Sequence, residues 1–194
     1  MYVVSCLILC YIHGLRKEEV AALTYKDIDL DNRLITISKA VHWNNNRPSL
    51  KSTKNEDVRK IPLLDVIYEK VKSLKLSHKN NEIIFPSKNN GIMSDTSMKR
   101  LLEHTLYEIN KLYKKDQLDA LDTMSENEIK EIKFTYHQLR HTYACLLHKA
   151  GIDVKEAQYL TGHRSINVLL NIYTHLDNED KQNATNKLNI FLNS

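Results

Sequence analysis

The spacing of apolar and polar positions changes period several times along the chain. Residues 1–12 are almost continuously apolar and predict a buried helix reaching about His13, ended by Gly14. A second helix is expected over 16–23, with Glu18 and Glu19 in its opening turns, where the helix dipole favours acids. Leu34-Ile35-Thr36-Ile37-Ser38 is rich in β-branched residues and predicts a strand. Two more short strands are expected at 48–52 and 58–63, joined into a hairpin by the turn Thr53-Lys54-Asn55-Glu56-Asp57. Helical spacing then predicts helices over 65–76, 96–112 and roughly 118–132. Thr135 and Gln138 form a T-x-x-Q capping box, so Thr135 starts the next helix and Gly151 ends it. Asp153 and Glu156 start a short helix stopped by Gly162, and Ser165 caps another that reaches toward Tyr173. Ala184, Leu188, Phe191 and Leu192 make one apolar stripe on a polar tail, so 178–194 is expected to be a docking helix. The pattern predicts a mostly α protein with a small antiparallel β-sheet (α+β), in one domain.

Composition narrows this little. The 194 residues, 42% hydrophobic and 27% charged, suit an ordinary globular chain, and a formal charge of +4 permits a nucleic-acid partner without arguing for one. Cys6, Cys10 and Cys145 form no C-x-x-C pair, and their odd number fits a reduced compartment. Residues 1–12 lack the basic flank and cleavage site of a signal peptide and are too short to span a bilayer, so a cytoplasmic location is expected.

Candidate chemistry concentrates on the helix that begins at Tyr136. Leu139, Tyr143, Leu146 and Ala150 form a stripe spaced for burial, with His137, Arg140, Ala144 and His148 opposite and His141 nearby. His137 and Arg140 are neighbours near the helix start, where free backbone N–H groups favour an anion, so together they make a phosphate site. Any such pair alone more often forms a solvated polar face. His137 and His141 also mimic a zinc-binding H-E-x-x-H helix, but Gln138 replaces the general base and no further ligands lie at recognisable spacing; no metal is expected.

Four further blocks change the balance. Gly14-Leu15-Arg16 is followed by Glu19; Lys54 lies in Ser52-Thr53-Lys54; Gly162-His163 follows the helix; and Tyr173-Thr174-His175 begins ten residues after His163. With His137 to Thr142 (H-x-L-R-H-T), these resemble, in order and spacing, the catalytic domain of the tyrosine recombinase (phage integrase) family, over nearly the whole chain. That resemblance implies that Arg16 and Arg140 hold the non-bridging oxygens of a scissile phosphate and that Tyr173 attacks phosphorus, leaving a 3′-phosphotyrosine link. It implies that Lys54 protonates the departing 5′-oxygen, that His137 assists proton transfer at the tyrosine, and that His163 hydrogen-bonds the phosphate. Lys51 or Lys60 are alternatives to Lys54, and Tyr173 is singled out among ten tyrosines only by its place after His163.

The resemblance further implies double-stranded DNA as partner, a tetramer on paired sites, and rejoining without a cofactor because the phosphotyrosine conserves the bond energy. Gln138 departs from the Asp common in the family, and Leu169-Leu170-Asn171 from its polar threonines. No counterpart of the family's N-terminal DNA-binding domain precedes residue 1, so weak DNA binding is expected. Two other readings stand beside recombination: relaxation of DNA as by type IB topoisomerases, and a DNA-binding regulatory fragment that does not cut.

Overall fold

The computed structural model describes residues 9–52, 58–79, 82–120 and 129–174. Residues 9–12 are helical, and the chain turns at Gly14 with φ +61°. Helix α1 (Lys17–Ala22) starts at Arg16, and a 3-10 turn at Tyr25–Asp27 is closed by the Asp27 carboxylate, which accepts from the Thr24 amide and hydroxyl at 2.8 and 2.7 Å. Strands β1 (Ile28–Asp29), β2 (Leu34–Ile37) and β5 (Arg59–Pro62) form an antiparallel sheet in the order β1-β2-β5, whereas β3 (Lys39–Asn44) and β4 (Arg47–Ser52) form a separate hairpin. Helices α2 (Asp65–Ser77), α3 (Asp95–Ala120), α4 (Tyr136–Lys149) and α5 (Val154–Thr161) follow, then a helical segment over 166–174.

The expected end signals hold. Gly14, Gly151 and Gly162 all have positive φ; Thr135 accepts the Gln138 amide at 3.2 Å and Gln138 returns the bond at 2.8 Å; Asp153 caps α5. The strand pairing differs from expectation. Segment 48–52 pairs with β3, not with 58–63, and β5 pairs with β2. Asn45 and Asn46 both have positive φ (46° and 66°), as the two central residues of a type I′ turn require, so 39–44 folds straight back on 47–52. The turn 53–57, with Lys54, lies outside the described residues.

Helix α3 runs unbroken through the gap expected after residue 112, because no Gly or Pro interrupts 95–120. Of the helix expected over 118–132, residues 129–132 are not helical. There the Asn110 carboxamide donates to the Ile132 carbonyl at 2.9 Å and accepts its amide at 2.7 Å, strapping an extended segment to α3. The expected tail helix lies outside the described residues.

Among the described residues the apolar interior has two clusters. One gathers Leu15, Val20, Ile35, Ile37, Ile61, Phe85 and Met98; the other gathers Tyr143, Ala144, Leu147, Ala157, Leu169, Ile172 and Tyr173. Leu160 packs against both. Helix α4 is rotated from the expected orientation: Tyr136, Arg140, Tyr143, Ala144 and Leu147 are buried, while Leu146 and Ala150 are exposed. The rotation follows from two contacts with one turn of chain. Arg140 donates to the Gly14 carbonyl at 2.6 Å, and Tyr143, one turn on, lies so close to Gly14 that a Cβ there would meet its Cδ1 at 2.2 Å.

Candidate phosphate site

At the seam where the two apolar clusters meet, the Gly14–Arg16 corner faces the Gly162–His163 turn. Glu19, buried at 4% exposure, ties them together. Its Oε1 accepts from Arg16 Nη1 and Arg59 Nη1, both at 3.0 Å, and its Oε2 accepts from the Arg16 amide and Arg59 Nη2, both at 2.9 Å. Burial alone would raise the Glu19 carboxyl. The Arg59 hydrogen bonds and charge, then the Arg16 amide and charge, hold it below the usual carboxylate range instead. Arg16 Nη2 reaches across to the Gly162 carbonyl at 2.7 Å, and Arg59 Nε to the Leu160 carbonyl at 3.3 Å.

Arg140 lies beneath these groups, 3% exposed. One terminal nitrogen is spent on Gly14; the other, Nη2, is buried and has no hydrogen-bond partner among the described residues. Burial, and then the nearby Arg16 charge, pull its guanidinium down to about 9. A buried cation so placed is poorly compensated, since Glu19 is already shared by two other arginines.

His163 senses the same field. Burial first, then Arg140, Arg16, His137 and Arg59, lower its imidazole to about 4, so it is neutral near pH 7. Its Nδ1 lies 2.8 Å from the Thr161 hydroxyl, which gives its own proton to the Ala157 carbonyl at 2.6 Å. Nδ1 is therefore the donor, and Nε2 carries the free lone pair. Arg16, Glu19, Arg59, Gly162, His163 and Arg164 line an open cleft of about 700 Å³, with Lys155 among the other groups on its wall.

The structure thus brings Arg16, Arg140 and His163 together, with His137 exposed on the first turn of α4 and near enough for its charge to act on His163. Tyr173 is placed elsewhere. Its hydroxyl donates to the Ile152 carbonyl at 3.3 Å, its ring packs at 4.4 Å from that of His148, and it does not line the cleft. Burial, then Asp153 and Cys145, raise its phenol, the opposite of what a nucleophile needs. Lys54 and His175 lie outside the described residues; His141 is exposed, its Nδ1 3.6 Å from Cys145 Sγ. Arg59 was missed from sequence, although a signal was present. It alternates with Ile61 on the buried side of β5, and a charge at an inward strand position marks a buried partner.

Comparison with known proteins bears on the fold and the family. The model of the phage integrase family matches residues 1–180. The chain is 25% identical to the transposase from transposon Tn916 of Enterococcus faecalis, over 91% of this chain and 43% of the relative. It is 28% identical to the integrase of Staphylococcus phage L54a, over 90% of this chain and 48% of that protein. Among solved structures, the Tn1549 transposon integrase in complex with circular intermediate DNA superposes with a TM-score of 0.68 at 25% identity, over 94% of this chain and 58% of that one. The chain spans about half the length of the curated relatives it matches. With a family match over most of its length and this fold, the chain belongs to the phage integrase family and has the catalytic-domain architecture of its tyrosine recombinases.

Proposed function

We propose that this chain is the catalytic part of a site-specific DNA recombinase that cuts and rejoins double-stranded DNA by transesterification. The observation that carries the reading is the uncompensated charge at the seam. Three guanidinium groups gather near one carboxylate, which is bonded by Arg16 and Arg59 and not by Arg140, and Arg140 keeps a buried terminal nitrogen without a partner among the described residues. A buried charged donor left unpaired costs roughly 1–3 kcal/mol or more, which a phosphodiester entering the site would recover.

In this reading Arg16 exchanges the Gly162 carbonyl for a non-bridging oxygen, and the free nitrogen of Arg140 takes the other. His163 takes up a proton at Nε2 as the phosphate enters and donates a hydrogen bond to it from there, His137 assists proton transfer, and Lys54 protonates the leaving 5′-oxygen. Tyr173 is the nucleophile. It forms a bond to phosphorus as the bond to the 5′-oxygen breaks, and the 5′-hydroxyl later reverses the step. Phosphoryl transfer of this kind depends on positioning and charge stabilisation. The Ile152-bound position of Tyr173 is then a resting one, and the 166–174 segment has to bring its hydroxyl to the cleft before cleavage. Assembly as a tetramer on paired DNA sites belongs to the same proposal. The DNA complexes known for the Tn1549 integrase support DNA as the partner.

The test uses a pool of duplexes, each nicked just 3′ of a candidate phosphate so that the cut fragment escapes. A covalent protein–DNA band on denaturing gels with wild type, absent with Tyr173→Phe and Arg140→Gln, is expected. A band that survives Tyr173→Phe would assign the nucleophile elsewhere; DNA retention by wild type with no covalent band at any sequence would favour a non-cutting DNA-binding fragment.

A further inference from the structure

Arg59 is the arginine of this cluster to which the proposed chemistry gives no task, yet it holds Glu19, the Leu160 carbonyl and the Gly162 turn together. It is 5% exposed, enters from β5, and lies 40 positions from Glu19 and 101 from Leu160 in the chain. Both its terminal nitrogens are on the Glu19 carboxylate, one on each oxygen, and Nε holds the Leu160 carbonyl. Its guanidinium also lies against Gly162: a Cβ on that glycine would stand 2.6 Å from Nη1, 2.8 Å from Cζ and 3.1 Å from Nε. Gly162 therefore carries no side chain for two reasons, its φ of +68° and the guanidinium pressed on it.

The charge count shows what this contact does. Arg16 and Glu19 alone form an ion pair at 3.0 Å, and a paired guanidinium offers an incoming phosphate little net charge. Arg59 makes the closer, two-point pair with Glu19, at 3.0 and 2.9 Å, and so takes up its charge.

We propose that Arg59 is a positioning residue of the phosphate site, drawing the Glu19 charge to itself and bracing the Gly162 turn so that Arg16, though hydrogen-bonded to Glu19, meets the phosphate with net positive charge. This rests on the phosphate-site reading above. It predicts that Glu19 inhibits anion binding when Arg59 is neutralised, and that removing both charges together is less harmful than removing Arg59 alone.

The experiment titrates inorganic sulfate into the full chain by calorimetry, for wild type, Arg59→Gln, Arg59→Lys, Glu19→Gln/Arg59→Gln and Arg140→Gln. Each is first melted without sulfate to verify folding. Arg59→Gln is expected to weaken sulfate binding by about 10-fold or more, since a unit charge is lost a few ångströms away at low effective dielectric. The double variant should recover to within roughly threefold of wild type, a non-additivity that coupled charges produce. Arg59→Lys should fall between, keeping the charge but losing the two-point geometry.

A double variant as weak as Arg59→Gln, or Lys as weak as Gln, would overturn the charge role and leave Arg59 as packing. If Arg59→Gln does not fold, the Lys variant and the double variant decide alone. Arg140→Gln separates the two levels: if it binds sulfate as wild type does, the phosphate-site reading fails and this inference with it. If it loses binding while Arg59→Gln keeps it, only the inference fails.

Discussion

His13 sits beside the Gly14–Arg16 corner, 2% exposed, and its protonation is the perturbation with the most sharply defined consequence. Burial lowers its imidazole from 6.5 to about 4; the Pro62 backbone pulls the other way, and Nδ1 has no hydrogen-bond partner among the described residues. Nε2 accepts the Leu64 amide at 3.4 Å, a contact a protonated ring loses. Because the folded value is below the unfolded one, the unfolded chain binds the proton more readily, and stability falls as pH drops. The loss begins as pH falls through 6.5 and is complete below about 4. At about 1.4 kcal/mol per unit, the linkage amounts to roughly 2 kcal/mol at pH 5 and about 3 kcal/mol below pH 4. For a chain of this size, 2 kcal/mol corresponds to roughly 4–8 °C in Tm.

Urea unfolding of wild type and His13→Gln between pH 7.5 and 4.5 isolates the effect, since carboxylates such as Glu19 titrate in both proteins and cancel in the difference. Gln has no titrating group, so the stability gap between the two proteins should shift by about 2 kcal/mol in the variant's favour from pH 7 to pH 5. A gap constant to within about 0.5 kcal/mol would refute a buried neutral histidine at this corner, as would a ring titrating near 6.5 by NMR.

Further outcomes follow from individual contacts. Gly14→Ala places a Cβ 2.2 Å from Tyr143 at a backbone φ of +61°, and should lower stability by more than about 3 kcal/mol in chemical denaturation. Thr135→Ala removes the capping box of α4 and should cost about 1 kcal/mol while leaving sulfate affinity nearly unchanged. Burial, with the arginine field added to it, lowers His163 to about 4; anion binding should raise it by offsetting that field, so sulfate should bind more tightly as pH falls from 6.5 toward 4. Calorimetry in two buffers of different ionisation enthalpy should then show proton uptake; uptake of none would place His163 outside the anion's reach.

Local signals in the sequence determined the helix ends. Gly14, Gly151 and Gly162 stop helices because each needs a positive φ, and Thr135 and Asp153 start them by accepting amides two or three residues away. The alternation at 34–37 likewise specified a strand with Ile35 and Ile37 inward. These features are legible because every interacting group lies within one turn of chain. The blocks around Arg16, Arg140 and His163 were legible for a different reason: their residue types, order and spacing resemble the family's pattern.

What tertiary structure alone decided were the partners that lie far apart. Which strand pairs with β5, the rotation of α4 that buries Arg140, and the contacts of Arg59 each depend on residues 22 to 146 positions away, as with Ile37 and Arg59, Arg140 and Gly14, or Arg16 and Gly162. No local period encodes such a contact; it exists only once two apolar clusters have closed on each other. The position of Tyr173 is of the same kind. Its sequence context points to the nucleophile, but the Ile152 carbonyl and the His148 ring, supplied by the fold, decide where its hydroxyl rests.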